Sequence, residues 1–367
     1  METAKVSPKQ LFTLIVLFEF GTALIVPLGI GAKQDAWLAE LIGMIGGTVL
    51  FFHYYYLYKQ YPKLLPTRYF QKILGKHLGF LIGLSYVLFF IYGASRDLRD
   101  SSELLLLQYN QTPMYIVSGI TMLLVCYALY KGIEVLARTA ELIFPLLLFL
   151  IILTFVFLAA SNVIRFENLL PVLENGWEPV VTTAFLERVF FPYGELVCFT
   201  VIFPYINRSR NGMKFGLTAM IFAGFVLIMT IVLEIAVLGV YGWSTSTFPF
   251  LRFVEKINIG GFIQGLQGFA MIVLVVGNFF KVAIFSYAAI ICSADLFNLK
   301  HHASLIAPIG FIILTVSMAS AASYVEHIEQ AKIVLRSIFV LFEFIIPFLL
   351  TAVVMVKKHF GGSTRHS

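Results

Sequence analysis

Long apolar stretches separated by short polar segments repeat along the whole chain. Each stretch has about the 20 residues that a helix needs to cross a hydrocarbon core about 30 Å thick. The pattern therefore predicts an all-α integral membrane protein with ten transmembrane helices. Numbered 1 to 10 in chain order, the predicted spans cover residues 11–31, 36–58, 78–107, 113–130, 134–160, 180–205, 213–241, 262–293, 303–322 and 332–356.

Spans 1 and 6 are interrupted near their middle by small and helix-breaking residues. Span 1 contains Glu19–Ala23 followed by Pro27 and Gly29, and span 6 contains Phe190–Glu195. Proline and glycine are common in membrane helices and often only kink them. Two interruptions in corresponding helices of the two halves, however, are the best sequence indication of a small-molecule site at the membrane midplane.

The interruptions favour a ligand that carries both charges. An unwound helix exposes N–H groups, which attract a carboxylate, and C=O groups, which attract an ammonium. Gly21–Ala23 are small enough to let a ligand reach the backbone, while aromatic side chains within Phe191–Gly194 and Tyr92 of span 3 offer apolar walls. The candidate ligand-binding residues are Gly21, Thr22, Ala23, Tyr92, Phe191, Pro192, Tyr193, Gly194 and Glu195.

Four ionisable residues lie deep inside predicted spans. Such residues are functional candidates by default, although they often only pair with one another. Glu195 directly follows the span 6 interruption, and Lys281 lies one turn after Asn278 in span 8. Glu19 and Glu343 each occupy the fourth position of the pentapeptide Val-Leu-Phe-Glu-Phe, and we interpret both as structural.

The outer end of span 3 carries a cluster of charges. Arg96 and Asp100, like Arg99 and Glu103, are four residues apart and able to pair along the helix. We interpret the cluster as a solvated vestibule wall, with a charged gate as the alternative. Glu187–Arg188, at a similar depth in span 6, is expected to pair with this cluster.

Composition and charge agree with a membrane protein. The chain is 59% hydrophobic and 13% charged, whereas soluble proteins have about 25% charged residues. Its net charge of +6 reflects topology, because the predicted inner segments hold sixteen of the 26 Lys and Arg residues and the outer loops hold five. By the positive-inside rule, both termini are expected to be cytoplasmic.

The sequence indicates no enzyme, metal site or cofactor. Cys126, Cys198 and Cys292 lie in apolar runs at unrelated spacings, which predicts neither disulfides nor a metal site. No nucleophile and base are arranged for catalysis, and no nucleic acid partner is expected.

Three connecting segments are long enough to have structure of their own. Lys59–His77 is basic with interspersed apolar residues, which suits either a helix on the anionic inner leaflet or an ordinary polar loop. The outer segments Ser161–Pro179 and Gly242–Gly261 contain aromatic residues, and either could form a lid; Phe250–Ile257 predicts a short helix.

Specific motifs in the chain resemble a known family. Ser7–Gln10, Phe18–Ala23, Gly29–Trp37 and Phe191–Glu195 together resemble the integral-membrane B subunit of bacterial spore germinant receptors. The resemblance extends over essentially the whole chain. It implies the fold of the amino acid-polyamine-organocation superfamily, a LeuT-type five-plus-five inverted repeat in which helices 1 and 6 are broken.

On this resemblance, residues 1–367 form one transmembrane domain, with repeats at 11–160 and 180–356 and a cytoplasmic tail at 357–367. The resemblance also implies that the protein lies in the spore inner membrane beside an A-type and a C-type subunit and binds a nutrient germinant. Lys281, with Asn278, lies where some superfamily relatives keep a coupling sodium ion, so its ammonium is a candidate substitute for that ion.

Two functions remain open from the sequence. One is a sensor that binds an amino acid germinant and signals to partner subunits. The other is a proton-coupled amino acid permease in which Glu195 or Lys281 carries the proton. Transporters of the superfamily tend to have a glycine triplet at the first break, whereas this chain has Ala23 in place of a second close glycine. That difference favours the sensor.

Overall fold

The computed structural model describes residues 5–207, 211–262 and 264–361, and these residues are almost entirely helical. The longest α-helices are Ala36–Gln60, Lys76–Leu106, Met114–Tyr130, Ile133–Ala160, Gly212–Ser244, Gln267–Leu296 and Ile346–Gly361. Shorter α-helices are Pro8–Phe20, Pro66–Leu74, Trp177–Thr183, Pro249–Val254, Ile306–Ala319 and Tyr324–Val334. Turns of 3₁₀-helix or π-helix join several of these elements, notably Thr22–Leu24, Ala184–Tyr193, Gly194–Val201 and Leu335–Ile345.

Seven of the described helices are long and apolar enough to cross a membrane, and they correspond to predicted spans 2, 3, 5, 7, 8, 9 and 10. Span 4 is a 17-residue apolar helix. Spans 1 and 6 are interrupted, so neither forms one long continuous helix. The fold is therefore that of an integral membrane protein, while the count of ten crossings stays a prediction.

Span 1 begins with a complete capping arrangement. Ser7 accepts a hydrogen bond from the Gln10 N–H at 3.1 Å, and the Gln10 side chain accepts one from the Ser7 N–H at 2.9 Å. Pro8 occupies the first turn, where a missing N–H costs nothing. The helix therefore starts three residues before the predicted boundary at residue 11.

Both predicted interruptions are present. The span 1 helix ends at Phe20, Gly21 leaves the helical region with φ −38° and ψ −108°, and a new short turn forms at Thr22–Leu24. In span 6, Phe191 is extended with φ −118° and ψ 119°, and helical geometry resumes at Gly194–Val201. Both spans are therefore interrupted at positions that are buried within the protein.

A row of glycines on span 2 brings this helix close to the span 6 break. A methyl group added at Gly43 would lie 2.5 Å from the Arg188 Cβ atom, and one added at Gly46 would lie 2.6 Å from Val189. At Gly47 it would overlap the ring and Cβ of Tyr193. These three positions leave room for span 6 only because they have no side chain.

Hydrogen bonds to backbone carbonyls connect span 10 to spans 2 and 3. Its middle is π-helical over Leu335–Ile345, a geometry that frees carbonyl groups from the regular α-helical pattern. Tyr86 donates to the Phe342 carbonyl at 2.6 Å. The Tyr54 hydroxyl lies 2.7 Å from the Glu343 carbonyl and 3.0 Å from the Gly194 carbonyl, so it links span 10 to the span 6 break.

The predicted basic segment between spans 2 and 3 contains the helix Pro66–Leu74, but its apolar side is buried against the protein. Arg68 forms an ion pair with Asp295 at 2.9 Å, and Lys357 donates to the Ile73 carbonyl at 2.7 Å. These contacts fix the helix to the ends of spans 8 and 10. The expected tail is helical as far as Gly361, and the rest of it, residues 362–367, lies outside the described residues.

We expect the glycine row to be sensitive to the smallest side chain. Gly43→Ala should lower the free energy of unfolding by about 1–3 kcal/mol, because the new methyl meets both the side chain and the backbone of Arg188. Gly119→Ala in span 4 is the matched control, since nothing lies within 4 Å of its added methyl. Thermal unfolding of the purified protein measures both; equal melting temperatures for the two variants would contradict this packing.

Candidate ligand-binding site

A cavity of about 540 Å³ lies between the two broken spans, span 3 and the outer part of span 10. Its inner wall includes Thr22 from span 1, Asp97 from span 3, and Phe191 and Glu195 from span 6. Its outer wall includes the segment Ser244–Thr247 and the first turns of span 10. The volume is in the range of small-molecule sites in proteins, which is about 300–1,000 Å³.

A buried ion pair closes the inner end of the site. The Lys281 ammonium lies 2.5 Å from the Glu195 carboxylate, and both side chains are almost completely shielded from solvent. The ammonium also lies over the rings of Phe191 and Phe18, 4.3 and 5.1 Å from their centroids. Lys281 of span 8 therefore contacts both broken helices.

Glycine at the span 1 break makes room for this lysine. A methyl group at Gly21 would lie 2.8 Å from the Lys281 Cδ atom and 2.9 Å from its Cβ atom. On the facing side, a methyl group added at Gly277 would lie 3.5 Å from the Gly21 backbone nitrogen. The role of Gly21 in this structure is thus to let span 8 pack against the break, and it does not line the cavity.

Asp97 is a buried carboxylate that lines the cavity and has no cation in direct contact among the described residues. One oxygen accepts a hydrogen bond from the Thr22 hydroxyl. The Asp97 carbonyl accepts one from the Asn278 side chain at 2.7 Å, which fixes this turn of span 3 against span 8. Its other carboxylate oxygen, Oδ2, is buried and has no hydrogen-bond partner among the described residues.

A second buried ion pair connects the span 6 break to span 2. Arg188 contacts Glu40 at 2.5 Å, and the Tyr193 hydroxyl donates to the other oxygen of the same carboxylate at 2.6 Å. Glu40 belongs to span 2, so this carboxylate binds residues on both sides of the extended Phe191. The expectation that Glu187–Arg188 pairs with the span 3 cluster is wrong: Glu187 instead pairs with Arg336 of span 10 at 3.0 Å.

The span 3 charges are buried, whereas a solvated wall was expected. Arg99 pairs with Glu103 at 2.8 Å, as its spacing predicts. Arg96 instead donates to the His327 carbonyl at 2.7 Å, and Asp100 contacts the His327 ring nitrogen at 3.1 Å. The cluster is shielded because the start of span 10 packs over it, a long-range contact that helical spacing does not reveal.

The structure brings together some of the sequence-predicted site residues and separates others. Three of them, Thr22, Phe191 and Glu195, line the cavity. The others do not line it. Gly21 packs on Lys281, and Gly194 packs on Glu343. Tyr193 binds Glu40, and the Tyr92 hydroxyl lies 3.4 Å from an Arg96 nitrogen. Ala23 and Pro192 are buried at the two breaks, Lys281 pairs with Glu195, and Asn278 binds the Asp97 backbone.

Asp97 lines the cavity and was not a candidate site residue from the sequence, although a signal for it was present. Arg96 and Arg99 each have an acidic residue four positions later, but the residue four positions after Asp97 is Ser101. An acid without a helical partner in a charged cluster indicates a partner elsewhere. Of the two possible lids, Ser244–Thr247 reaches the cavity, and residues 161–179 do not line it.

Comparison with known proteins decides the family. A family model described as "Spore germination protein" matches residues 5–325. The chain belongs to the spore germination protein family. Spore germination protein KB of Bacillus subtilis (strain 168) is 38% identical over 360 residues, which cover 98% of this chain and 96% of that protein.

Two further family members of the same organism are more distant. Spore germination protein YndE is 26% identical over 273 residues, 73% of each chain. Spore germination protein A2 is 23% identical over 304 residues, covering 82% of this chain and 80% of the relative.

Solved structures confirm the fold class that the family resemblance implied. MhsT in complex with L-phenylalanine superposes with a TM-score of 0.72 over 97% of this chain and 99% of that chain, at 13% identity. Mhp1, a nucleobase-cation-symport-1 family transporter in a closed conformation with bromovinylhydantoin bound, superposes with a TM-score of 0.69 over 92% of this chain and 75% of that chain, also at 13% identity. This germination protein therefore has the LeuT-type fold.

Removing one charge of the Lys281–Glu195 pair should lower the free energy of unfolding more than removing both charges. Lys281→Met leaves a buried carboxylate without its cation, and breaking a buried ion pair this way costs about 3–5 kcal/mol of folding free energy. The double variant Lys281→Met/Glu195→Gln, which leaves no charge behind, should recover most of that loss. Thermal unfolding of the three proteins in one detergent gives the comparison.

A double variant as unstable as Lys281→Met alone would show that the pair is not the source of the effect. If Lys281→Met changed neither stability nor ligand binding, the ammonium would have no role in organising the site.

Proposed function

We propose that this chain is the nutrient-sensing membrane subunit of a spore germination receptor and that it binds an amino acid in the cavity between the broken spans. The observation that carries the proposal is the position of Asp97, which lines a largely apolar cavity and has one carboxylate oxygen without a hydrogen-bond partner among the described residues. Membership of the spore germination protein family supplies the biological setting.

The ammonium of the ligand is assigned to Asp97. Glu195 also lines the cavity, but its charge is neutralised by Lys281 at 2.5 Å. Asp97 receives only the Thr22 hydroxyl at one oxygen, so its second oxygen is available to a ligand cation. A charge-assisted hydrogen bond of this kind contributes about 1.5–3 kcal/mol.

The carboxylate of the ligand is assigned to the new helical turn that begins at Thr22. The first N–H groups of a helical turn have no partner inside the helix and attract negative charge. Thr22 lines the cavity and also binds Asp97, which supports one site for both charged ends of a small zwitterion. Phe191 and Phe339 add apolar surface for the side chain of the ligand.

The comparison of folds supports the proposal that the ligand is an amino acid. A protein of the same fold, MhsT, is solved in complex with L-phenylalanine, an amino acid. The alternative function, a proton-coupled amino acid permease, is favoured by the fold shared with the transporter Mhp1. We propose the sensor first, because Ala23 makes the first break less glycine-rich than in transporters of the superfamily.

In the proposed receptor, the site signals to an A-type and a C-type subunit in the spore inner membrane, with both termini of this chain cytoplasmic. Lys281 keeps its proposed role as a fixed substitute for a coupling ion, since its ammonium already occupies the junction of spans 1, 6 and 8. Such a fixed charge suits a receptor that changes conformation without an ion gradient.

Asp97→Asn should weaken amino acid binding by roughly 10- to 100-fold, because the amide cannot neutralise the ligand ammonium. Glu103→Gln is the matched control, since Glu103 lies in the same helix, pairs with Arg99 and does not line the cavity. Thermal-shift titration of each purified protein with individual L-amino acids measures the affinity. Equal loss in both variants, or none in Asp97→Asn, would remove Asp97 from the site.

Uptake by the isolated chain separates the two functions. Reconstituted into liposomes and given radiolabelled amino acids with an imposed pH gradient, a sensor should bind them saturably without accumulating them. Deletion of the gene should abolish germination in response to the same amino acid. Saturable, pH-driven accumulation by this chain alone would establish the permease instead.

A further inference from the structure

Two carboxylic acids next to the Lys281–Glu195 pair have no hydrogen-bond partner in the part of the chain that the structure describes. Glu19 and Glu343 are each 0% exposed, and both carboxyl oxygens of each residue are unpartnered. They occupy the same position of the repeated Val-Leu-Phe-Glu-Phe segment. One lies just before the span 1 break, and the other lies in the π-helical part of span 10.

The cations near these two acids are already used by other carboxylates. The charged groups that face Glu343 are Glu195, Lys281 and Glu19. Those that face Glu19 are Lys281, Glu195, Glu40 and Arg188. Lys281 contacts Glu195, and Arg188 contacts Glu40, each at 2.5 Å.

The uncharged titratable neighbours do not supply a compensating charge either. Tyr54, Tyr86 and Cys198 face Glu343, and Tyr193 faces Glu19. The hydroxyls of the three tyrosines are bonded to backbone carbonyls or to Glu40. An ionised carboxylate without a cation or hydrogen bonds is very costly in an apolar interior, whereas a protonated one is neutral.

The Glu343 carboxyl contacts the span 6 break. Its Oε2 atom lies directly against Gly194, in the space that a side chain at that position would fill. Gly194 belongs to the span 6 break and is followed by Glu195 of the ion pair. Any displacement of the break therefore changes the surroundings of the Glu343 carboxyl, and Glu19 lies two residues before Gly21 at the other break.

We propose that Glu19 and Glu343 are proton-binding sites whose protons exchange with solvent when the broken helices move. With the breaks packed as in this structure, each acid keeps its proton, because no described residue offers a free cation or hydrogen-bond donor to its anion. Movement of Gly194 away from Glu343 admits water, and the carboxyl then releases its proton. The proposal holds whether the chain is a sensor or a permease.

Infrared spectroscopy of the purified protein in lipid nanodiscs tests this directly, since a protonated carboxylic acid has a carbonyl band that a carboxylate lacks. The wild-type protein should show this band, and it should decrease reversibly as the pH is raised from about 5 to about 9. The double variant Glu19→Gln/Glu343→Gln should lose part of the titrating component. Glu326→Gln is the control, because Glu326 is an exposed acid that accepts a hydrogen bond from the Ala322 N–H at 2.8 Å, and it should leave that component unchanged.

Three outcomes would overturn the proposal: an unchanged band in the folded double variant, a band that does not respond to pH while the protein remains folded, or loss of the band on adding sodium or potassium at constant pH. The last would assign the acids to a metal cation instead of a proton.

If the double variant does not fold, carbodiimide labelling of the wild-type protein replaces it, because hydrophobic carbodiimides modify protonated buried carboxyls. Mass spectrometry should find the adduct on Glu19 and Glu343 and not on Glu40, whose carboxylate is paired with Arg188. Equal modification of Glu40, or modification of Glu40 alone, would contradict the proposal.

Discussion

The ammonium of Lys281 holds the centre of this structure together, because it is a single cation in contact with both broken helices. Glu195 of span 6 contacts it at 2.5 Å, Gly21 of span 1 packs on its aliphatic part, and the rings of Phe18 and Phe191 cover it. An unpaired ammonium or carboxylate in a membrane interior is costly. The pair therefore constrains both breaks, and with them the shape of the cavity.

The rest of the site follows from that constraint. Since Lys281 neutralises Glu195, we propose Asp97, whose Oδ2 atom has no hydrogen-bond partner among the described residues, as the carboxylate that binds a ligand cation. The span 6 break is held by Glu40, which binds Arg188 and Tyr193, and by Tyr54, which lies between Gly194 and Glu343. In the same arrangement, Glu19 and Glu343 have no hydrogen-bond partner among the described residues. The proposed binding site and the two unpartnered acids thus follow from one arrangement of charges.

Much of the fold could be predicted because it depends on local patterns. Apolar length predicted the spans, and the glycine and proline residues at Gly21 and Pro192 predicted where two of them break. The partners of the buried charges could not be predicted in the same way. Arg99 and Glu103 are neighbours on one helix and were found from spacing, but Arg188 pairs with Glu40, 148 positions away. Such a pairing depends on helix packing, which a one-dimensional pattern does not contain.

The account rests on the claim that the cavity recognises both ends of a zwitterion, Asp97 taking the ammonium and the turn at Thr22 taking the carboxylate. The most direct test is calorimetric titration of the purified protein with three compounds: the L-amino acid that gives the largest thermal shift, its decarboxylated amine and its deaminated acid. We expect the amino acid to bind and each analogue to bind at least roughly 10-fold more weakly, since each lacks one charge-assisted contact. An analogue that bound as tightly as the amino acid would contradict the account.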